Sequence, residues 1–470
     1  MSRPTVWLVL FASVAVALRL AAIRGDFTLD EVWSWVIAGQ CQSPWDVLTF
    51  GHDNNHILNT LWLYALPSGF EHKWLYRLPA ALSSSFALWF AYDLARRSQP
   101  QAAPISLVLL GVSHILIVHG SEARGYGYLV LCTLASLWAL DRYLATRAIR
   151  WLALFALASS LGFFAHLTFL FAYAGLLVYS IIRLLWRPYW QQNLLALHSV
   201  PLASAAAIYF LYVDGMSIGG GNVAPLSTTV IETLSLFAGG PVRGTAAYLA
   251  ASIAGVLLVI SLAGQIGRDR ARGMMSATAI VLAPALTLLL VDPAVLYPRY
   301  FLVPVLFAYL LIAGELALWW KSGAFGRIAV AGLLSAYAVC NLVALAPLVL
   351  HGRAEYSAAM RDIADESSGP EITLSSDHDF RNMFVAQFHA DLDSSAYRDR
   401  GKRLVYVNRK DYPRQGTEWF LQHTFEGDPP KPEVWIDPAG NRYQLVHVYP
   451  SRSISGWTWW LYRREAPSTP

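Results

Sequence analysis

Eleven apolar stretches joined by short polar loops dominate the first 350 residues of the chain. A helix that crosses a bilayer needs about 20 mainly apolar residues. Charged residues make up 14% of the chain, against roughly 25% in soluble domains. We therefore expect a polytopic α-helical membrane protein. Its predicted spans are residues 5–23, 75–95, 103–119, 126–144, 151–165, 167–185, 194–213, 245–266, 274–291, 300–320 and 328–350.

The basic residues indicate how these spans are oriented. With the N-terminus in the cytoplasm, about a dozen of them fall in inner loops, roughly twice the number in the short outer loops. Counting residues 56–70, a stretch that ends at Pro67-Ser68-Gly69, as a span would reverse this bias. We therefore interpret residues 56–66 and 31–40 as helices lying in the membrane interface. The net charge of +4 reflects the excess of lysine and arginine in the inner loops and does not indicate nucleic-acid binding.

The composition changes after about residue 352, where charges become frequent and no further span follows. Residues 371–375, 404–407, 433–437 and 442–449 have strand patterns, and residues 354–366 and 380–390 have helical ones. The sequence thus predicts two domains. Residues 1–351 form the transmembrane module, with a first outer loop at 24–74, and residues 352–470 form a small extracytoplasmic α/β domain. Trp457, Trp459 and Trp460 are interpreted as a contact to the bilayer or to an acceptor.

Asp30 and Glu31 lie side by side directly after the first span. Two adjacent carboxylates at a membrane surface indicate acid–base or charge-stabilising chemistry. We predict Asp30 as a general base and Glu31 as a residue that orients an acceptor or tunes the pair. Capping of the helix that begins there is the structural alternative, and the two roles are compatible.

Polar residues from other parts of the chain fall on the same predicted outer face. Arg124 and Arg299 suit the binding of a phosphate, although an ion pair with Glu122 and contact with ordinary phospholipid are the respective alternatives. We predict that the polar run from His52 to His56 forms hydrogen bonds with a sugar or with the carboxylates of Asp30 and Glu31. Two histidines four residues apart do not make a metal site, so no metal and no cofactor is predicted. The candidate binding residues are His52, Asn55, His56, Glu122, Arg124, Tyr126, His166, Tyr297 and Arg299.

Five short motifs together resemble a known family. They are Asp30-Glu31, Asn55-His56-Ile57-Leu58, Glu122-Ala123-Arg124-Gly125-Tyr126, Ala165-His166-Leu167 and Arg299-Tyr300-Phe301-Leu302-Val303-Pro304. In order and predicted sidedness they resemble the GT-C class of glycosyltransferases that use polyprenyl-phosphate-linked sugars. The similarity is to bacterial relatives of protein O-mannosyltransferases and of the lipid A aminoarabinose transferase, over about residues 5–320. The prolines of the family's interfacial motif are absent, so the type of acceptor is not carried over.

The resemblance implies a membrane glycosyltransferase that moves a sugar from a polyprenyl-phosphate donor to an extracytoplasmic acceptor hydroxyl. It implies Asp30 as base, and a single in-line displacement then predicts inversion at the anomeric carbon. The expected partners are the lipid-linked donor, membrane lipid, and a glycan, lipid or protein acceptor. The expected location is the inner membrane, with the active site and the C-terminal domain on the periplasmic side. A lipid or glycan transporter or flippase, a polysaccharide polymerase and a non-catalytic scaffold remain open.

Overall fold

The computed structural model describes residues 3–66, 73–221, 224–293, 295–392 and 396–465, with side chains from residue 6. The chain divides into two compact units. The first unit is helical and consists of Met1–Ala21, Ile37–Ala65 and Tyr76–Ala346. The second unit contains a mixed β-sheet and consists of Ala22–Val36, Leu66–Leu75 and Pro347–Pro470.

The helices follow one another with short connections. In the described ranges the α-helices are α1 (Arg3–Ala21), α2 (Leu29–Gln40), α3 (Pro44–Thr49), α4 (Ile57–Ala65), α5 (Lys73–Ser98), α6 (Ala102–Gly111), α7 (His114–Gly120), α8 (Tyr126–Thr146), α9 (Ile149–Ala165), α10 (Phe169–Leu184), α11 (Trp190–Ile208), α12 (Leu226–Ala238), α13 (Thr245–Arg268), α14 (Arg270–Ala277), α15 (Ala283–Val291), α16 (Leu302–Lys321), α17 (Ala324–His351), α18 (Tyr356–Glu366) and α19 (Asp379–Leu392). Tyr209–Val213 and Thr278–Leu282 are π-helical, and Pro298–Phe301 is a 3₁₀-helix.

The predicted fold class, a polytopic helical membrane protein with a small α/β domain, is confirmed. Each predicted span coincides with one helix or with two or three consecutive helical segments. Within the described ranges, six segments are long and apolar enough to cross a membrane, and the bent pair α6–α7 would make a seventh. The six are Tyr126–Thr146, Trp190–Val213, Thr245–Arg268, Arg270–Val291, Pro298–Lys321 and Ala324–Glu366. Val6–Ala21, Ile149–Ala165, Phe169–Leu184 and Leu226–Ala238 are shorter apolar helices, and the last was not predicted.

Two stretches were interpreted as interfacial helices. Residues 31–40 form most of α2, and residues 56–66 form α4. α4 has 9 residues, too few to cross a bilayer. The predicted end of this helix at Pro67-Ser68-Gly69 lies outside the described residues.

The break between α6 and α7 is the distinctive feature of the first unit. The two helices meet at an angle of 60°. Such a break removes intrahelical partners from carbonyl oxygens inside an apolar bundle, where water cannot replace them. Arg19 on α1 supplies donors, with Nη2 2.8 Å from Leu110 O and Nη1 2.9 Å from Gly111 O. Its Nε donates to Ser84 Oγ at 3.0 Å, so this buried arginine pairs within the bundle.

Other polar side chains hold the start of α7. Asn341 Oδ1 accepts the backbone N–H of His114 at 2.7 Å. Ser113 caps the helix and exchanges a hydrogen bond of 3.0 Å with Tyr309 OH. The direction of α7 is therefore fixed by residues from α1, α16 and α17.

The second unit is built on a six-stranded sheet of order β2-β1-β3-β6-β5-β4. Its strands are β1 (Glu371–Ser376), β2 (Arg403–Tyr406), β3 (Trp419–Thr424), β4 (Val434–Ile436), β5 (Arg442–Tyr449) and β6 (Thr458–Arg464). β2 and β3 run parallel to β1, and the remaining pairs are antiparallel. One core contains Ile363, Leu374, Val385, Trp419 and Leu461. The four predicted strands and two predicted helices are confirmed, whereas β3 and β6 were missed.

The interpretation of the C-terminal tryptophans as a bilayer or acceptor contact is wrong for two of them. Trp457 and Trp459 are 5% and 0% exposed, because they lie in the core of the second unit. Their indole N–H groups both donate to Asn382 Oδ1, at 3.1 and 2.8 Å. Trp460 is half-buried and donates to Thr424 Oγ1 at 3.0 Å.

Replacing Arg19 with methionine tests the account of the broken helix. The substitution keeps the apolar stem but leaves the carbonyl oxygens of Leu110 and Gly111 without a donor, at a cost of about 1–3 kcal/mol for each buried group. We expect a lower midpoint of thermal unfolding for the detergent-solubilised Arg19→Met protein. Arg187→Met removes an exposed arginine and should change stability by less than about 0.5 kcal/mol. Equal midpoints for the two variants would refute the role of Arg19.

Candidate functional site

Three rings from separate parts of the sequence form the centre of the candidate site in the first unit. His56 stacks on His166 with ring centroids 4.9 Å apart, and Tyr126 lies 4.7 Å from His166. All three side chains are buried. Within the described ranges, His56 Nε2 and Tyr126 OH have no hydrogen-bond partner. Buried polar atoms are nearly always paired, so these two are candidates for contact with a ligand.

Gly125 allows this assembly to form. A Cβ atom at this position would overlap the carbonyl oxygen of Ala165 and press on His56. Only glycine therefore lets the loop before α8 lie against the turn that carries His166.

Arg124 brings a buried positive charge to the rings. Its Nη2 donates to Asn54 Oδ1 at 2.9 Å, and its guanidinium lies 5.0 Å from the ring centroid of Tyr126. Glu122 is fully buried, with Oε2 3.3 Å from His119 Nδ1. Asn59 donates to the carbonyl of Ala123 at 2.6 Å and so ties α4 to this loop.

Arg299 contributes a second cation. Its guanidinium stacks on Tyr297 at 4.0 Å from the ring centroid and lies 5.7 Å from that of Tyr300. Its charge also acts on His56 and His166. The structure therefore groups Arg299 and Tyr297 with the residues around His56.

The electrostatic environment keeps the two histidines neutral. Burial lowers the pKa of His166 to about 3, and the charges of Arg124 and Arg299 add to this effect. Burial, Arg124, His166 and Arg299 also hold the pKa of His56 well below its usual range. At neutral pH both imidazoles are thus hydrogen-bonding and stacking groups rather than proton carriers.

The polar run before α4 has a buried part at Asn54–His56 and a half-buried part at His52 and Asp53. Asn55 donates to the carbonyls of Val47 and Phe50 at 2.8 and 3.0 Å, which fixes the loop. His52 Nδ1 lies 3.1 Å from Asp53 Oδ1, and Gly219 N–H donates to the same oxygen at 3.0 Å. Burial opposes ionisation of Asp53, but these two contacts outweigh it and lower its pKa. The glycine-rich run that contains Gly219 is therefore tied to this carboxylate by a backbone hydrogen bond.

Asp30 and Glu31 belong to the second unit, in the first turn of α2. Glu31 is fully buried, and its Oε2 accepts the backbone N–H of Thr28 at 3.1 Å. Glu31 thus caps α2, as the structural alternative expects. Asp30 is half-buried, and its carbonyl oxygen accepts a hydrogen bond from Ser34 Oγ.

The start of α2 is held by aromatic residues of α19. Trp33 lies 4.7 Å from Phe384 and 5.9 Å from Phe380, and Trp35 lies 5.1 Å from Phe388, measured between ring centroids. Trp33 and Trp35, which lie in the first outer loop of the sequence, therefore pack within the second unit.

A buried ion pair anchors the segment before α2. Asp26 Oδ1 lies 2.6 Å from Lys73 Nζ, and Asp26 Oδ2 accepts the Ser357 N–H at 2.6 Å. Burial opposes ionisation of Asp26, but His389 and Lys73 hold its pKa far below the usual value. The helix that carries Asp30 is thus fixed on both sides by the folded C-terminal segment.

Some residues near the candidate site were missed in the sequence. His119 lies three residues before Glu122, a helical spacing that could have indicated the pair. Tyr212 donates to the carbonyls of His52 and Asn55 at 2.7 and 2.9 Å, and no sequence signal links these positions. In the part of the chain that the structure describes, no three His, Cys, Asp or Glu side chains could hold a metal ion.

Acid should destabilise the protein through His166. The unfolded chain binds a proton near pH 6.5, whereas the folded site binds it only near pH 3, so stability falls as the pH drops between these values. The slope is about 1.4 kcal/mol per pH unit for one such group. We expect His166→Phe to show a flatter loss of thermal stability from pH 6.5 to 4, measured in detergent. Above pH 7.5 the two proteins should have parallel profiles, and parallel profiles at acid pH would refute the assignment.

Part of the chain matches a known family. Residues 59–212 match the model of the dolichyl-phosphate-mannose-protein mannosyltransferase family. The match covers about a third of the 470 residues and includes Glu122, Arg124, Tyr126 and His166. Among curated protein sequences, none matches the chain.

Two solved structures of ArnT from Cupriavidus metallidurans are similar to the whole chain. The apo structure is 16% identical, with a TM-score of 0.52 and coverage of 90% of this chain and 94% of that one. The structure bound to undecaprenyl phosphate is 15% identical, with a TM-score of 0.51 and coverage of 99% of both chains. The fold of this chain is therefore that of these ArnT structures, and the resemblance to the GT-C class identified in the sequence is confirmed as a resemblance.

Proposed function

We propose that the chain is a membrane glycosyltransferase that takes a sugar from a polyprenyl-phosphate donor. The GT-C fold, the mannosyltransferase family match and the undecaprenyl phosphate bound to ArnT support this proposal. We place the reaction on the periplasmic side of the inner membrane, with a hydroxyl group as acceptor. The acceptor hydroxyl belongs to a glycan, a lipid or a protein.

The observation that carries the proposal is the buried group of rings beside Arg124. His56 Nε2 and Tyr126 OH are buried and unpartnered within the described ranges, and the stacked rings offer apolar faces. A sugar presents hydroxyl groups at its edge and C–H groups on its faces. The hydroxyl groups can pair with His56 Nε2 and Tyr126 OH, and the C–H groups can pack against the rings. Neutral imidazoles can donate or accept hydrogen bonds without changing charge.

Two arginines supply what the leaving group requires. As the anomeric carbon becomes cation-like, the bond to the donor phosphate breaks and its electron pair moves to the phosphate oxygen. Arg124 is buried and held by Asn54, and Arg299 is stacked on Tyr297. Fixed guanidinium groups stabilise such a developing charge without reorganisation.

The acceptor side of the reaction needs a base. The acceptor oxygen attacks the anomeric carbon, and Asp30 takes its proton, so polyprenyl phosphate and the new glycoside are the products. A single displacement of this kind inverts the anomeric centre. Glu31 keeps the first turn of α2 in place by capping it at Thr28.

The 60° break between α6 and α7 is a feature that would favour a transporter. Transporters use the free backbone groups of broken helices to bind substrates or ions. Here the carbonyl oxygens of Leu110 and Gly111 are already occupied by Arg19. The break therefore has a structural use, which favours the enzyme.

Asp30→Asn tests the proposed base. The amide keeps the size of the side chain but cannot take the acceptor proton, and general-base catalysis contributes roughly 10²–10⁴-fold. We expect the variant to fold and insert normally but to lose the sugar modification that mass spectrometry detects in envelope glycans and lipids of cells carrying the wild type. Asp46→Asn alters another carboxylate near a helix N-terminus and should keep activity. Full modification by Asp30→Asn would remove Asp30 as base.

Arg299→Gln tests the phosphate contact without the acceptor. Loss of a charge-assisted hydrogen bond costs about 1.5–3 kcal/mol. We therefore expect roughly 10- to 100-fold weaker binding of undecaprenyl phosphate, measured by ligand-induced thermal stabilisation in detergent. Arg187→Gln, in an exposed loop, is the matched control. An unchanged Kd in Arg299→Gln would contradict the phosphate role and leave that of Asp30 standing.

A further inference from the structure

Three helix ends in the first unit carry an excess of arginine. α5 ends with a run that contains Asp93, Arg96 and Arg97. Arg142 lies in the last turns of α8, and Arg150 lies in the first turn of α9. In the orientation predicted from the sequence, all three ends lie at the cytoplasmic surface of the membrane.

Three of these guanidinium groups converge on one carboxylate. Arg96 Nη2 lies 2.6 Å from Asp93 Oδ1, and Arg97 Nε lies 2.5 Å from Asp93 Oδ2. Arg142 Nη2 lies 3.6 Å from Asp93 Oδ2, which also accepts the indole N–H of Trp138 at 2.8 Å. The carboxylate is buried, whereas the three arginines are partly exposed. A ligand that approaches this point therefore meets guanidinium groups first.

A tryptophan brings a fourth guanidinium group to the same place. Arg142 and Arg150 both lie over the ring of Trp151, at 5.2 and 4.8 Å from its centroid. Trp151 packs edge-on against Trp138 at 5.0 Å between ring centroids. Among the described residues, Arg142 Nε and Trp151 Nε1 are buried donors without an acceptor. We call the four converging arginines the arginine cluster: Arg96, Arg97, Arg142 and Arg150.

The positive charge of the arginine cluster is not cancelled locally. Four guanidinium groups around the carboxylate of Asp93 leave three positive charges in excess. Two other arginines predicted on this side of the membrane each face a carboxylate. Arg183 Nη2 lies 2.6 Å from Asp269, and Arg272 Nη2 lies 2.9 Å from Asp141. Asp141 is thereby occupied, although it directly precedes one member of the cluster in the sequence.

An exposed apolar face of α5 leads to the arginine cluster. Leu82, Phe86 and Trp89 are exposed, and their spacing of four and three residues continues to Asp93 and Arg96. Residues at this spacing share one face of a helix. From Phe86 to Arg96 the helix rises about 15 Å, which is half of the roughly 30 Å hydrocarbon thickness of a bilayer. The face therefore has the length of one acyl chain and ends in positive charge.

We propose that the arginine cluster and this face of α5 bind an anionic phospholipid. Phosphate oxygens accept the hydrogen bonds that guanidinium groups offer, and an acyl chain covers the apolar side chains that precede them. Basic pockets on the cytoplasmic side of membrane helices bind anionic headgroups in this way. A zwitterionic lipid would not offset the excess charge, and a soluble anion would leave the apolar face uncovered. The site does not depend on the proposed glycosyl transfer.

Titration of the purified full-length protein with dioleoylphosphatidylglycerol in a neutral detergent tests the proposal, with lipid-bound protein measured by native mass spectrometry. The double variant Arg96→Gln/Arg150→Gln removes two charges but leaves Arg97 and Arg142 beside Asp93. It should therefore keep the wild-type midpoint of thermal unfolding without added lipid. We expect its apparent Kd for the anionic lipid to be at least tenfold higher.

The matched control is Arg187→Gln/Arg270→Gln, which removes two charges from exposed positions predicted on the same side of the membrane and should bind as the wild type does. Dioleoylphosphatidylcholine and glycerol 1-phosphate serve as comparison probes. Each should bind the wild type at least tenfold more weakly than the anionic lipid does. Equal affinities of the two double variants, equal binding of the two lipids, or equal binding of the anionic lipid and glycerol 1-phosphate would overturn the proposal.

Discussion

The hydrogen bonds from Arg19 to the carbonyl oxygens of Leu110 and Gly111 are the interaction on which the first unit depends. An apolar bundle provides no water for a broken helix, so a break survives only where side chains replace the lost backbone bonds. The break turns α7 by 60° and so sets the direction of the chain that continues to Arg124 and Tyr126. A buried arginine is costly on its own. Its placement at the break shows that its cost is offset by satisfying backbone groups rather than by contact with a ligand.

The sequence patterns predicted the helices and strands better than the contacts between them. Apolar runs located the spans, because length and composition determine whether a helix can cross a bilayer. The same runs did not reveal the break at residues 111–114, since apolar residues continue on both sides of it and residues 103–119 were predicted as one span. β3 was missed because most of its residues are buried, which removes the alternation that marks a strand. The C-terminal tryptophans resembled an interfacial belt, and only the three-dimensional structure shows that Asn382 pairs two of them in a core.

The candidate site was predictable in its members and not in its arrangement. Four of the five motifs supplied His56, Glu122, Arg124, His166 and Arg299, and the structure places these five residues in one electrostatic environment. Asn54, His119 and Tyr212 support that environment through hydrogen bonds or ion pairs whose geometry no spacing specifies. Glu31 shows a further limit. A carboxylate next to a candidate base reads as catalytic, yet its contact with Thr28 gives it a structural task in the same turn.

Arg124 and Arg299 create a positive field around His56 and His166. This field lowers the stability of the folded state in acid, and it also favours the binding of negative charge. Arg124 and Arg299 disfavour a proton on either imidazole, so the folded state loses stability wherever the unfolded chain would protonate. The same field favours any negative charge that enters the site, and burial strengthens both effects because little water screens them. In the proposed reaction, this field would stabilise the donor phosphate most when its charge is largest, as its bond to the sugar breaks. A site with only a packing role would not need this positive field, because neutral side chains would fill the same space without the loss of stability in acid.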